Sequence, residues 1–368
     1  MNPSMSDRPV PRPGLLTIAP YVPGRSQAAP GVAPVKLSAN ESPLGTSPRA
    51  LHAFNQAVSE GLEIYPEGTS KHLRVALGEV NGLDPDQILC GNGSDDILHL
   101  LAQSFLDVGH EAIMSRYGFS VYPIITAAAG ATLVVAEETD YTADVDAMLA
   151  AVTERTKMVF LANPNNPTGT YLPAAELERL HKGLRPDILL VIDSAYADFV
   201  TAGDYTAGIE LVDNARNVVM VRTFSKIGLA AARVGWMYGP REIVDLVNRI
   251  RSPFNLNRPA QFAAAEAARD IEFNTRLREY NADWRDWLTQ SLNSNEMRVV
   301  PSQGNFILVL FPDAARASAA FQALYQQGLI VREVGDSYGI PNGLRISIGP
   351  EDAMRRVVGI LKDFGGRP

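Results

Sequence analysis

ILLVIDSAY (188–196) and VVMVRTFSK (218–226) each run apolar for several residues and then turn polar. A short, nearly continuous apolar run bounded by polar residues suits a strand that is covered on both faces. The first run ends on Asp193, with Tyr196 three residues on, and the second ends on Lys226. TKMVFLA (156–162), upstream, has the same form and leads into NPNNPTG (163–169). Strand candidates lie at 87–90, 111–115, 131–136, 157–162, 188–193, 217–222 and 233–238, with helical patterns between most of them, such as 94–106, 174–184 and 241–250. Strands that alternate with helices predict an α/β fold, with a mostly parallel seven-stranded sheet covered by helices on both faces.

Beyond residue 250 the pattern changes. A long helical region (259–293) precedes two strand candidates, NFILVLF (305–311) and LRISIG (344–349), separated by a helical 314–328. This predicts a smaller α+β domain. The first 34 residues carry eight prolines, which predicts an extended arm. The expected division is an arm over 1–36, a large domain over 37–255 and a small domain over 256–368.

At 368 residues the chain can bury a sizeable core. A net charge of -8 disfavours a nucleic-acid or anionic-membrane partner. There is neither a basic segment followed by an apolar one nor an apolar run of membrane-spanning length, so neither a signal peptide nor a membrane span is expected. The single cysteine, Cys90, lies in an apolar context and fits a reducing compartment. The five histidines show no ligand spacing, so no metal site is expected. The expected location is the cytoplasm.

The polar oddities follow strand ends: GNGSDD after Cys90, RYGF after Ser115, NPNNPTG after Ala162, DSAY after Ile192 and TFSK after Arg222. In open α/β sheets that edge binds ligands. A carboxylate at one strand end and a lysine at the next are the parts that hold pyridoxal 5′-phosphate. The lysine bonds to the aldehyde, and the Asp pairs with the protonated ring nitrogen. A desolvated Lys226 would release its proton more readily and become nucleophilic; the competing view is a solvated surface lysine. Asp193 could instead cap a helix, although no clear helix follows it. Asn166 and Tyr196 could donate to the ring oxygen, although NPNNPTG also suits a plain rigid turn.

Gly93, Ser94 and Asp95 open a helix whose free N–H groups suit a phosphate; a dinucleotide fingerprint or a simple Ser94 cap are the alternatives. Thr223, Ser225 and Arg233 could complete the phosphate cup. Tyr117 is either a plate stacked on the ring or a half-buried core aromatic. Arg345, inside a strand, suits a bidentate grip on a carboxylate, and Arg332 could supply a second anion contact.

With PYVPG (20–24), LSANESP (37–43), IYPEGTSKHLRVAL (64–77), PSQGNFIL (301–308) and LRISIG (344–349) added to these loops, the chain resembles the fold-type-I pyridoxal-phosphate aminotransferases from about Leu15 to its C-terminus. That resemblance implies a homodimer in which Tyr65 reaches the neighbouring subunit's phosphate. It implies that Arg345 takes the carboxylate of 2-oxoglutarate or glutamate, and that Arg332, Tyr21 and Asn40 line the substrate pocket. It implies amino transfer between L-histidinol phosphate and 2-oxoglutarate, with an aromatic amino-acid donor, or decarboxylation of a phosphorylated amino acid, as alternatives. Two departures stand out. Ser194 replaces the usual acidic residue, and the stretch from Lys226 to Arg233 is one residue shorter than usual, so its loop must be tightened.

Overall fold

The computed structural model describes residues 9–18, 25, 27, 31–294 and 296–364. Seven strands form the large sheet: β1 (Ile88–Gly91), β2 (Glu111–Ser115), β3 (Thr132–Ala136), β4 (Thr156–Ala162), β5 (Leu189–Asp193), β6 (Val218–Thr223) and β7 (Gly235–Tyr238). Their order is β1-β7-β6-β5-β4-β2-β3. β7 runs antiparallel to both neighbours, and the remaining pairs are parallel.

The two-residue period of a strand explains the continuous apolar runs. Val159, Leu190, Ile192 and Met220 enter one core, while Phe160, Leu189, Val191 and Val221 enter the core on the other face. Neither face of β5 meets solvent, and all five of its residues are buried. The carboxyl ends of β4 and β5 lie level, with Ala162 beside Asp193, and β6 passes Asp193 at Val221 and runs two residues further to Thr223. Because β7 runs the other way, its first residue, Gly235, reaches this same edge between Gly91 and Thr223. A Cβ on Gly235 would stand 2.3 Å from the Ser94 nitrogen, so only glycine lets the next helix start this close to the sheet.

The expected strand 233–238 is shorter than its apolar pattern, because Arg233 takes a left-handed backbone (φ 54°) and stays in the preceding loop. The helical region 259–293 divides into Arg258–Arg269 and Ile271–Leu292. Asp270 stops the first and caps the second by accepting from the Phe273 N–H.

The C-terminal region holds an antiparallel sheet of β8 (Arg298–Val300), β9 (Phe306–Leu310), β10 (Arg332–Glu333) and β11 (Gly343–Ser347), in the order β8-β9-β11-β10. Helix Ile271–Leu292 spans both cores, with Phe273 and Leu277 in the large one and Leu288 and Leu292 in the C-terminal one. The last residues of the expected arm, Val35–Lys36, pair in parallel with Leu329–Ile330. Leu37 is buried in the C-terminal core, whereas the sequence grouped it with the large domain. Among the described residues, no helix is long and apolar enough to cross a membrane.

Candidate active site

A cavity of about 290 Å³ opens above the carboxyl edge of the large sheet. Asp193, the last residue of β5, and Lys226, on the helical turn Ser225–Leu229 just past the end of β6, both line it. Asp193 is buried, and its Oδ2 accepts from the Tyr122 hydroxyl at 2.9 Å. Burial pushes its carboxyl up to about 6, and the Tyr122 hydrogen bond opposes that rise. Lys226 donates to the Ala39 carbonyl at 3.3 Å. Burial, and then the positive charge of Arg345, bring its ammonium down to about 8. A lysine in this state is a usable nucleophile and base near neutrality.

The wall opposite comes from distant parts of the chain. Tyr196 accepts a hydrogen bond from Asn40 Nδ2 at 3.0 Å. Asn40 is locked in a left-handed backbone (φ 57°), a conformation asparagine tolerates. Its N–H donates to Ser347 Oγ, its Oδ1 accepts from the same hydroxyl, and its carbonyl accepts from Asn305. Buried Arg345, on β11, donates to Asn166 Oδ1 and, at 2.5 Å, to the Ser38 carbonyl. Its Nε is buried with no partner among the described residues, a donor left for a ligand. Arg332 also lines the cavity and donates to Ser337.

At the other end, helix Ser94–Phe105 presents its N-terminus. Gly93 is its cap residue (φ 87°) and Ser94 is its first helical residue, so the simple Ser94 cap does not form. Asp96 turns away to accept from the Asn92 N–H and from Asn255. Thr223 donates to Ser225 Oγ at 3.0 Å, and Arg233 donates to the same oxygen at 3.2 Å and to Asp95 at 3.4 Å. The shortened stretch from Lys226 to Arg233 closes because Gly228 (φ 101°) and Arg233 take left-handed turns. A Cβ at Gly93 would lie 2.5 Å from the Arg233 guanidinium. Free N–H groups, hydroxyls and a guanidinium around one small concavity suit a phosphate. With a buried amine and carboxylate beyond it, the donor set fits pyridoxal phosphate.

Of the residues expected from sequence, Lys226, Asp193, Tyr196, Asn166, Ser94, Asp95, Thr223, Ser225, Arg233, Arg345, Arg332 and Asn40 come together around this cavity. Gly93 stands directly behind, against Arg233. Tyr117 does not line it. Its ring stacks on Tyr141 at 5.3 Å, drawn into an apolar cluster with Val300 and Leu308. Phe119 lines the cavity instead. Tyr65 is 77% exposed and stacks on Phe254, away from this chain's cavity. Tyr21 lies outside the described residues. Sequence reasoning missed Phe119, Tyr122 and Tyr338; the first two were signalled only by the clustering of aromatics at 117, 119 and 122, and Tyr338 by nothing local.

Residues 33–361 match the aminotransferase class I and II family. The chain belongs to that family. The aminotransferase is similar to proteins named histidinol-phosphate aminotransferase from Nitrobacter winogradskyi (55% identity, covering 98% of this chain and 99% of that one) and Rhodopseudomonas palustris (53%, covering 98% and 100%). Among solved structures it resembles histidinol-phosphate aminotransferase from Sinorhizobium meliloti in complex with pyridoxal-5′-phosphate (TM-score 0.84, 28% identity, covering 90% and 91%). The α/β architecture expected from the strand pattern is the fold of these enzymes.

Proposed function

We propose that this aminotransferase moves an amino group between L-histidinol phosphate and 2-oxoglutarate, with pyridoxal phosphate as cofactor. The observation that carries the reading is one cavity faced by Lys226, Asp193 and Arg345. The 55% identity to a protein of that name over nearly the whole chain supports the choice of substrate. When bound, the cofactor supplies an electron sink for the pair left at the substrate's α-carbon.

The chain's own groups do the rest. Asp193, as a carboxylate, holds the protonated ring nitrogen. Ser94, Thr223, Ser225 and Arg233 hold the phosphate, and Asn166 and Tyr196 lie at the ring oxygen. Lys226 Nζ, neutral above about pH 8, would take the proton from the substrate's α-carbon and pass it on to the cofactor's reacting carbon. Arg345 grips the carboxylate of 2-oxoglutarate, and with Arg332 meets the phosphate of the donor. Phe119 takes the stacking place that the sequence assigned to Tyr117.

We read the working unit as a cytoplasmic homodimer. Exposed Leu62, Ile64, Tyr65 and Phe254 support a subunit contact, with Tyr65 reaching the neighbouring cofactor site. Sedimentation of the purified protein tests this, and a monomer at working concentration would reject it. For the substrate, purified protein is offered histidinol phosphate, aromatic amino acids and phosphothreonine in single-turnover half-reactions. Fastest conversion with histidinol phosphate is expected. A faster aromatic donor, or carbon dioxide from phosphothreonine, would replace this reading.

A further inference from the structure

Tyr122 stands on the first turn of helix Val121–Ala129, on a buried face shared with Ile125 and Ala129. It is fully buried, yet it carries a hydroxyl. A buried phenol needs a hydrogen-bond partner, and this one has Asp193 Oδ2 at 2.9 Å. Among the described residues, the other carboxylate oxygen accepts only from the Ala195 N–H, at 3.3 Å. The Tyr122 ring stacks on Phe160 of β4 with centroids 4.7 Å apart and planes 7° from parallel. Its edge meets Phe119 at 5.8 Å and 89°. One side chain thus touches both the acid and the aromatic that line the cavity.

We infer that Tyr122 is a positioning residue, which holds the Asp193 carboxylate in place as an anion and backs the Phe119 ring. The inference rests on the reading that this cavity takes pyridoxal phosphate. An acid in a fully buried site tends to take up a proton, and then it can no longer pair with a protonated ring nitrogen. Lys226 faces Asp193 and favours its charge, whereas Asp95, at the start of helix Ser94–Phe105, opposes it. Tyr196 and Tyr205 also face it, and burial raises both phenols so that they stay neutral. Tyr338 approaches Tyr122 from the C-terminal region. Among these groups, Tyr122 gives Asp193 a direct side-chain hydrogen bond. Burial and the neighbouring carboxylate raise the Tyr122 phenol well above its usual value, so it remains a donor at every working pH.

The test is pyridoxal phosphate binding to cofactor-free enzyme, followed by fluorescence from about one unit below to two units above the Asp193 value of about 6. In the wild type, affinity should fall below that point. In Tyr122→Phe the acid limb should move up by about one unit, the size of one hydrogen bond to a charged group, so that affinity drops roughly tenfold at the acid end of the range and only about twofold at neutral pH. Phe160→Leu, which loosens the stack but keeps the hydroxyl, should leave the acid limb where it was. A Tyr122→Phe protein that titrates like the wild type overturns the inference, and so does a Phe160→Leu protein that reproduces the shift. Should Tyr122→Phe not fold, 3,5-difluorotyrosine at position 122 donates more strongly and should move the limb down; an unmoved limb then rejects the assignment. Wild-type enzyme that binds no pyridoxal phosphate at any pH would instead reject the cofactor reading itself.

Discussion

Asp193 and Thr223 reach the cavity from the ends of two adjacent parallel strands of one sheet, and Lys226 from the turn that follows the second. Arg345 reaches it from another sheet, to bond Asn166 across 179 residues of sequence and Ser38 across 307. The floor is therefore built by strand pairing, which places consecutive carboxyl ends side by side whatever lies elsewhere. The roof is built by the packing of the C-terminal core against residues 37–40, and it exists only once the whole chain is folded. Each part carries a different task. In the proposed reading the floor would hold groups that handle protons and charge, and the roof groups that grip a ligand's far end.

Substitutions on the two sides should therefore separate. Lys226→Ala should abolish amino transfer and remove the adduct that borohydride fixes to the protein; mass mapping of that adduct to any other lysine would break the floor assignment. Arg345→Ala should raise the KM for 2-oxoglutarate by about ten- to a hundredfold, the worth of a charge-assisted hydrogen bond. Cofactor affinity should change by no more than about twofold, and equal losses of both would mean that floor and roof are not separable.

The two parts do meet electrostatically. Lys226 is held down to about 8 partly by Arg345, so its reactive, neutral amine gains population as pH rises through that value. Cofactor capture by cofactor-free enzyme should accelerate over the same range. In Arg345→Ala, where a repelling positive charge is gone, the lysine keeps its proton longer and the midpoint should move up. A midpoint that stays put would deny that coupling. The smallest effect concerns the aromatics: Phe119→Ala should weaken cofactor binding by about two- to tenfold, the range of an aromatic stack, whereas Tyr117→Phe should leave it unchanged. The reverse order in a binding titration would restore Tyr117 to the cavity.

Most of the floor was legible in the chain itself. Asp193, Lys226 and the NPNNPTG turn announce themselves by polar chemistry at the end of apolar runs. Arg345 was legible for a related reason: a charge within LRISIG needs a partner once buried. Tyr122 was invisible because a tyrosine in an apolar helix looks like core until its hydroxyl is seen against Asp193. Tyr117 and Phe119 could not be told apart, since both are aromatics in one turn, and the cluster that captures Tyr117 is drawn largely from residues more than 150 positions away.

What this chain's order of residues settled alone is the seven-stranded sheet, its double-sided burial and the edge where chemistry collects. Burial on both faces demands apolar runs, and exceptions at their ends stand out. Which aromatic faces the cavity, what braces Asp193, how Asn40 is locked and where Arg345 points were decided only by the packing of two cores, because those contacts join residues that no local pattern relates.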